Sequence, residues 1–133
     1  DFRVSLASST IVRVNRQEYA SSSEIDLLEA FIYEPRSQQN LTVSWSREDH
    51  ALSLFADRLG HMNMYQGKVS DPHITYNMSY SYDYSPDIDL YLSVRNLTDV
   101  MPQKDGGFGY PYYYQGVFSV FGRYASAGFN YRF

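Results

Sequence analysis

Phe121-Gly122-Arg123-Tyr124-Ala125-Ser126-Ala127-Gly128-Phe129-Asn130-Tyr131-Arg132-Phe133 is the stretch whose reading decides the fold. Its odd positions carry Phe121, Ala125, Ala127, Phe129, Tyr131 and Phe133, interrupted by Arg123. Its even positions carry Gly122, Tyr124, Ser126, Gly128, Asn130 and Arg132. A polarity period of two is the mark of a strand with one wet and one apolar face, because successive side chains of extended chain point to opposite sides. The apolar face here includes the last residue, Phe133, so something must cover it.

The same rhythm recurs upstream. From Ile74 to Tyr84 the even positions are Ile74, Tyr76, Met78, Tyr80, Tyr82 and Tyr84, and the odd ones are Thr75, Asn77, Ser79, Ser81 and Asp83. A period of 3.6 residues would scatter that set, so a helix is excluded. Strands are expected at about 2–14, 41–47, 51–59, 73–84, 88–98 and 122–133. Ser21-Ser22-Ser23-Glu24 has capping-box spacing ahead of Ile25, Leu28, Phe31 and Ile32, and Pro35 would end a helix begun there, so a short helix is favoured over a strand. Arg47-Glu48-Asp49-His50 and Ser85-Pro86-Asp87 are short turns, whereas 60–72 and 101–120 are long loops.

Composition narrows the class. The chain has 133 residues, 44% hydrophobic and 20% charged, which excludes a disordered tail. No window approaches the roughly 18 consecutive apolar residues of a spanning helix, and the mean hydropathy is −0.44. A transmembrane barrel has that same low average, since only every second strand residue meets lipid. Tyr supplies 14 residues, and its apolar ring with a polar tip suits the boundary between hydrocarbon and water. Short turns alternating with long loops are a feature of outer-membrane barrels. With the short turns set at one end, Trp45, Tyr82, Tyr84, Tyr131 and Phe133 fall together at that end as an aromatic girdle. The net charge of −4 argues against nucleic acid as a partner. The cysteine count of zero needs no disulfide framework.

Asn96, Leu97 and Asp99, then a loop, then Gly122, Arg123 and an alternating strand closing on Phe resemble the carboxyl end of TonB-dependent outer-membrane receptors. The usual pattern there is N-L-F-D followed by G-R, and Thr98 stands here in place of the Phe. The resemblance covers Ile88 to Phe133 closely and extends back to about Asn40. It implies an all-β, antiparallel transmembrane β-barrel segment of five to seven strands, over residues 1–133, within a larger barrel in the bacterial outer membrane. It also implies active uptake of a scarce nutrient such as a ferric siderophore, a vitamin or a saccharide. Implied partners are membrane lipid, the remaining barrel strands, the plug, the TonB complex acting through that plug, and the BAM assembly machinery. The plug and the TonB box lie outside these 133 residues, and nothing near Asp1 resembles a signal peptide, so a processed or partial chain is expected. Two other readings stay open: a self-contained eight-stranded barrel with a structural or adhesive role, and a soluble Tyr-rich β-sheet binding module.

No enzyme chemistry and no cofactor are expected. His50, His61 and His73 with Met62 and Met64 are metal-ligand types, but no pair has a spacing fixed by one element. Asp49 with Asp57, and Asp83 with Asp89, have the parity of a polar face and are expected to form hydrogen bonds there. The sequons at Asn40, Asn77 and Asn96 are not read as glycosylated, and Gly106-Gly107-Phe108-Gly109 is read as flexible loop. Tyr110, Tyr112, Tyr113 and Tyr114 either face a ligand or extend a strand with an outer aromatic girdle. Pairing of 88–98 with 122–133 predicts an Asp89–Arg132 ion pair on the polar face. The resemblance assigns Phe129, Tyr131 and Phe133 to an assembly signal. Deleting Phe133 should therefore lower surface levels without changing ligand contacts, as read by surface immunoblotting of the full-length protein; normal levels would refute that role.

Overall fold

In the computed structural model, which describes residues 1–12, 14–26 and 33–133, alternation in sequence becomes one six-stranded antiparallel sheet. Its strands are β1 (Phe2–Thr10), β4 (Ser37–Arg47), β5 (His50–Leu59), β6 (His73–Ser85), β7 (Ile88–Arg95) and β8 (Tyr124–Tyr131), hydrogen-bonded in that order. A separate two-residue ladder joins β2 (Asn15–Arg16) to β3 (Ile25–Asp26). The helix expected after Glu24 is not present at its start, where Ile25–Asp26 pairs as a strand; its positions 27–32 lie outside the described residues.

Register carries the polarity pattern intact across the sheet. Phe2, Trp45, Leu52, Tyr80, Leu92 and Ala127 form one cross-strand row, and Val4, Val43, Leu54, Met78, Val94 and Ala125 form the next. Directly paired residues share a face, so these rows build one continuous apolar face. The opposite face is polar, with rows such as Arg3, Ser44, Ser53, Ser79, Ser93 and Ser126, within which runs a 2.9 Å Ser44–Ser53 hydroxyl contact. A slip of one residue along a whole strand would exchange the faces, and the register shows none as far as Asp83 opposite Asp89. One irregularity, between Asp83 and Ser85, bulges Tyr84 beside the last short turn.

Among the described residues no second layer covers the apolar face. Leu54 is 42% exposed, Phe129 69% and Leu6 71%. The buried apolar residues among those described are Met62, Met64 and Tyr113, all in the long loops. The sheet is also open: β1 and β8 are edge strands.

Polar residues bound the apolar face at both ends. Arg47 pairs with His50 beside the short turn, and Gln39 pairs with Arg58 at the loop end. His50 and Arg58 are eight residues apart on β5, roughly 27 Å at about 3.4 Å per residue. Tilted by the roughly 40° usual for barrel strands, that length rises about 20 Å, near the apolar band of about 25 Å that lipid requires. The aromatic positions near the short turns step outward across the sheet. Tyr82 lies two residues beyond the row of Trp45, and Tyr131 two residues beyond the row of Tyr82. A row of interfacial residues drifts in this way when strands tilt relative to the plane it marks. Tyr82 stacks on His50 at 4.5 Å, His50 Nδ1 lies 2.7 Å from the Tyr80 hydroxyl, and Tyr131 meets Phe133 edge-on at 5.0 Å.

The polar face near the short turns holds Asp83 directly opposite Asp89, a like-charge pairing that opposes the sheet. Arg132 answers it, its guanidinium donating to Asp89 Oδ2 at 2.6 Å while its backbone N–H donates to the Asp87 carbonyl. The ion pair expected from register is therefore present, on the expected face. Arg132 is exposed, so replacing it with Met should cost no more than about 1 kcal/mol. The loss should shrink at high salt, as measured by denaturant titration at two ionic strengths.

Candidate functional site

The three long connections, 60–72, 96–123 and the described parts of 11–36, all leave the sheet at the end opposite the short turns. They form a cap with its own small core. Residues 60–72 fold back on themselves around the short helical turn Tyr65–Gly67. The Ser70 N–H donates to the Met62 carbonyl, the Met62 N–H donates to the Ser70 hydroxyl, and His61 Nδ1 donates to the Ser70 carbonyl at 2.7 Å. The chain entering β4 runs alongside, with Tyr33 N–H donating to the Asn63 carbonyl at 2.8 Å and Arg36 N–H to the His61 carbonyl at 3.0 Å.

Asp105 binds the three connections together. It is 3% exposed. Its Oδ2 accepts from the Tyr33 hydroxyl at 2.9 Å and the Tyr65 N–H at 3.0 Å, and its Oδ1 accepts from the Gly107 N–H at 2.9 Å. Burial alone would raise its pKa. The donors at Gly107, Tyr65 and Tyr33, with the charge of Lys68, outweigh that and hold the carboxyl below its ordinary 3.8. The same contact raises Tyr33 above its ordinary 10.0, through burial and then through its bond to Asp105 and the charge there. Gly107 is required for closeness rather than for flexibility, because a Cβ there would lie 2.8 Å from Tyr65 Cβ. Tyr33, Phe108 and Tyr114 pack their rings together at 4.9 to 5.7 Å beside this carboxylate.

A second fastening closes the longest loop at its base. Asn96 and Asp99 have φ of 52° and 55°, a region that Asn and Asp tolerate better than other side chains. This is why β7 stops at Arg95 rather than running to 98. The Asn96 side chain bonds both backbone groups of Val100, and the Leu97 N–H donates to the Tyr76 carbonyl. Asp99 Oδ1 then accepts from the Arg123 N–H at 2.7 Å. Gly122 lets the two stretches of chain approach, since a Cβ there would meet Asp99 Oδ1 at 2.6 Å. The five motif residues are thus brought together as a latch, and β8 starts at Tyr124 because Gly122 and Arg123 belong to it.

Between the latch, the loop above it and the polar face lies a cavity of about 470 Å³. Thr75, Asn77 and Arg95 form its sheet wall, with Tyr124 at the edge strand; Val100, Pro102 and Phe121 close it from the loop. Asn77 is engaged by the fold, donating to Asp57 Oδ2 and accepting from the Asn96 N–H, both at 2.9 Å. The hydrogen bonding expected of polar-face carboxylates is met at Asp57.

The four tyrosines read as one loop feature separate. Tyr110 is 88% exposed and Tyr112 47%, with Lys104 5.8 Å from the Tyr112 ring centroid. Tyr114 joins the ring cluster beside Asp105. Tyr113 is 3% exposed, packed edge-on to Phe118, which in turn meets His73 on the polar face at 5.0 Å. None of the four lies in a strand. Comparisons with family models, with curated proteins and with solved structures return no match.

Asp105, Tyr33 and Arg95 have no sequence signal beyond residue type, since their roles depend on contacts far apart in the chain. Asp105→Asn should cost the cap about 2–4 kcal/mol, because an amide cannot accept three donors at this site. Hydrogen exchange at the Tyr33, Tyr65 and Gly107 amides would report that loss. Because its folded pKa is depressed, the Asp105 contribution is full above pH 3.8 and falls away as pH drops below it. Tyr33, whose folded pKa is raised, contributes fully below pH 10.0 and loses its contribution above it.

Proposed function

We propose that this chain is the carboxyl-terminal part of the barrel of an outer-membrane receptor similar to the TonB-dependent class, serving active uptake of a scarce nutrient. The observation that carries the reading is the apolar face, uncovered among the described residues, continuous over six strands and bounded on β4 and β5 by polar residues at both ends. A buried Leu, Phe or Met contributes about 1.5–3 kcal/mol relative to an exposed one. The Leu, Phe and Met positions of this face, left facing water, would together forfeit an amount comparable to the roughly 5–15 kcal/mol net stability of a whole domain. Lipid removes that penalty without a second protein layer.

The open edges support the same reading. Backbone groups of an edge strand have no water to bond within hydrocarbon, so only a closed sheet is stable there. On this reading β1 and β8 pair with further strands of the receptor, the polar face lines the lumen, and the capped loops face the outside. The chain then does no covalent chemistry; it contributes barrel wall, loop cap and lumen surface. Transport force would reach it through a plug driven by TonB.

A charge tells the two faces apart. Leu54 lies midway along β5 on the apolar face, and Ser79 lies on the polar face of β6. Leu54→Arg should cost about 2–4 kcal/mol in folding into bilayers, whereas Ser79→Arg should cost less than about 1 kcal/mol. Gel-shift and denaturant titration in vesicles would measure both. Equal effects, or a chain that stays monomeric in water without detergent, would overturn the membrane reading.

A further inference from the structure

The polar groups around the cavity divide into those the fold uses and those it does not. Asn77 and Asn96 are committed to neighbours at 2.9 to 3.0 Å. The side chains of Thr75, Arg95 and Tyr124 have no hydrogen-bond or ion-pair partner among the described residues, although Arg95 and Tyr124 are paired across β7 and β8 and lie side by side on one face. A guanidinium carries five donors and remains charged at any working pH.

The charge balance at this place runs opposite to that of the chain. Asp and Glu number 15 against 11 Lys and Arg, yet among the described residues no carboxylate lines the cavity. Two acids that touch lining residues are already engaged: Asp57 accepts from Asn77, and Asp99 accepts from the Arg123 N–H. The remaining lining joins apolar and aromatic groups of Val100, Pro102 and Phe121 to His73, whose ring packs on Phe118, and Ser119, whose hydroxyl accepts from the Phe121 N–H. An unneutralised cation at one side of a chamber with aromatic and aliphatic walls is complementary to a compact ring bearing an anionic group.

The geometry points to the cavity as a binding site for a small ring compound carrying a carboxylate or phosphate. The Arg95 guanidinium takes the anionic head, Thr75 and Tyr124 add hydroxyl donors, and the ring lies against Phe121 and Pro102. Asn96, Asp99 and Gly122 act as positioning residues, since their latch sets the loop wall over the sheet. The inference deepens the receptor reading by naming a ligand class, and rests on it only for the direction of entry.

The test uses the full-length protein, in which β1 and β8 have their further strands on this reading, in detergent micelles, with 4-fluorobenzoate and 4-fluorophenyl phosphate as probes and 4-fluorobenzamide as the neutral control, followed by fluorine NMR. At least one anion should bind saturably, with the amide at least about tenfold weaker. Arg95→Gln should weaken the anion by about tenfold or more, and Arg95→Lys should restore part of that loss. The Arg95 side chain is exposed and unpaired among the described residues, so circular dichroism of both variants should match the unchanged protein; Phe121→Ala tests the opposite wall independently and should weaken the anions and the amide alike. Equal affinity for amide and anions, Arg95→Gln binding as tightly as the unchanged chain, or no saturable binding of either anion would overturn the site. Bilayer partitioning, measured in parallel, separates the two ideas. Anion binding without partitioning removes the receptor reading and leaves the site, and partitioning without anion binding removes the site alone.

Discussion

Everything in this molecule depends on parity being kept from one strand to the next. Each strand has two faces, and antiparallel pairing puts residue opposite residue, so six strands that agree make a two-sided sheet, whereas one dissenting strand would mix them. The agreement here runs from Phe2 through Trp45, Leu52, Tyr80 and Leu92 to Ala127. Its cost is a surface that water cannot satisfy, and this single consequence links the strand pattern to the proposed environment. The polar face is free for other purposes: a like-charge pair balanced by Arg132 near the turns, and a chamber near the loops.

With no core beneath the sheet, the long connections have built one of their own. Met62, Met64 and Tyr113 are its apolar part, and Asp105 is its polar centre. A buried carboxylate is stable only when its oxygens are satisfied, and Asp105 draws a donor from each of the three connections. Order in the cap is therefore collective. Removing either of the connections that supply Tyr33 and Tyr65 leaves Asp105 under-satisfied, so the cap holds or opens as one unit distinct from the sheet.

The sheet was legible in the sequence because its information is local. Alternation placed five strands to within a few residues and put Asp89 beside Arg132, since register is determined once faces and turns are known. β1 ends at Thr10, short of the expected 14, and two other differences are explained by side chains: Asn96 takes a left-handed backbone that ends β7 at Arg95, and Gly122 with Arg123 joins the latch before β8. β4 begins at Ser37 because Gln38, Asn40 and their neighbours pair with both β1 and β5 despite being polar. The cap was not legible. Tyr33 and Asp105 are 72 residues apart, and no periodicity relates them. A run of aromatic residues from Tyr110 to Tyr114 does not disclose which ring turns inward, because in irregular backbone the facing of each side chain is set by individual torsions. Parity assigned Arg95 to a face, but its lack of a partner is a property of the assembled wall.

The latch at Asp99, Gly122 and the Arg123 N–H has an evolutionary consequence. Because the two ends of the loop are fastened to each other and to β6, the chain between them contributes little to aligning β7 with β8. Loop-closure entropy grows only slowly with length, so residues could be added, removed or exchanged inside the fastening at small cost to the sheet. The fixed ends and free interior make this loop the part of the chain best suited to changing its sequence while the sheet keeps its register.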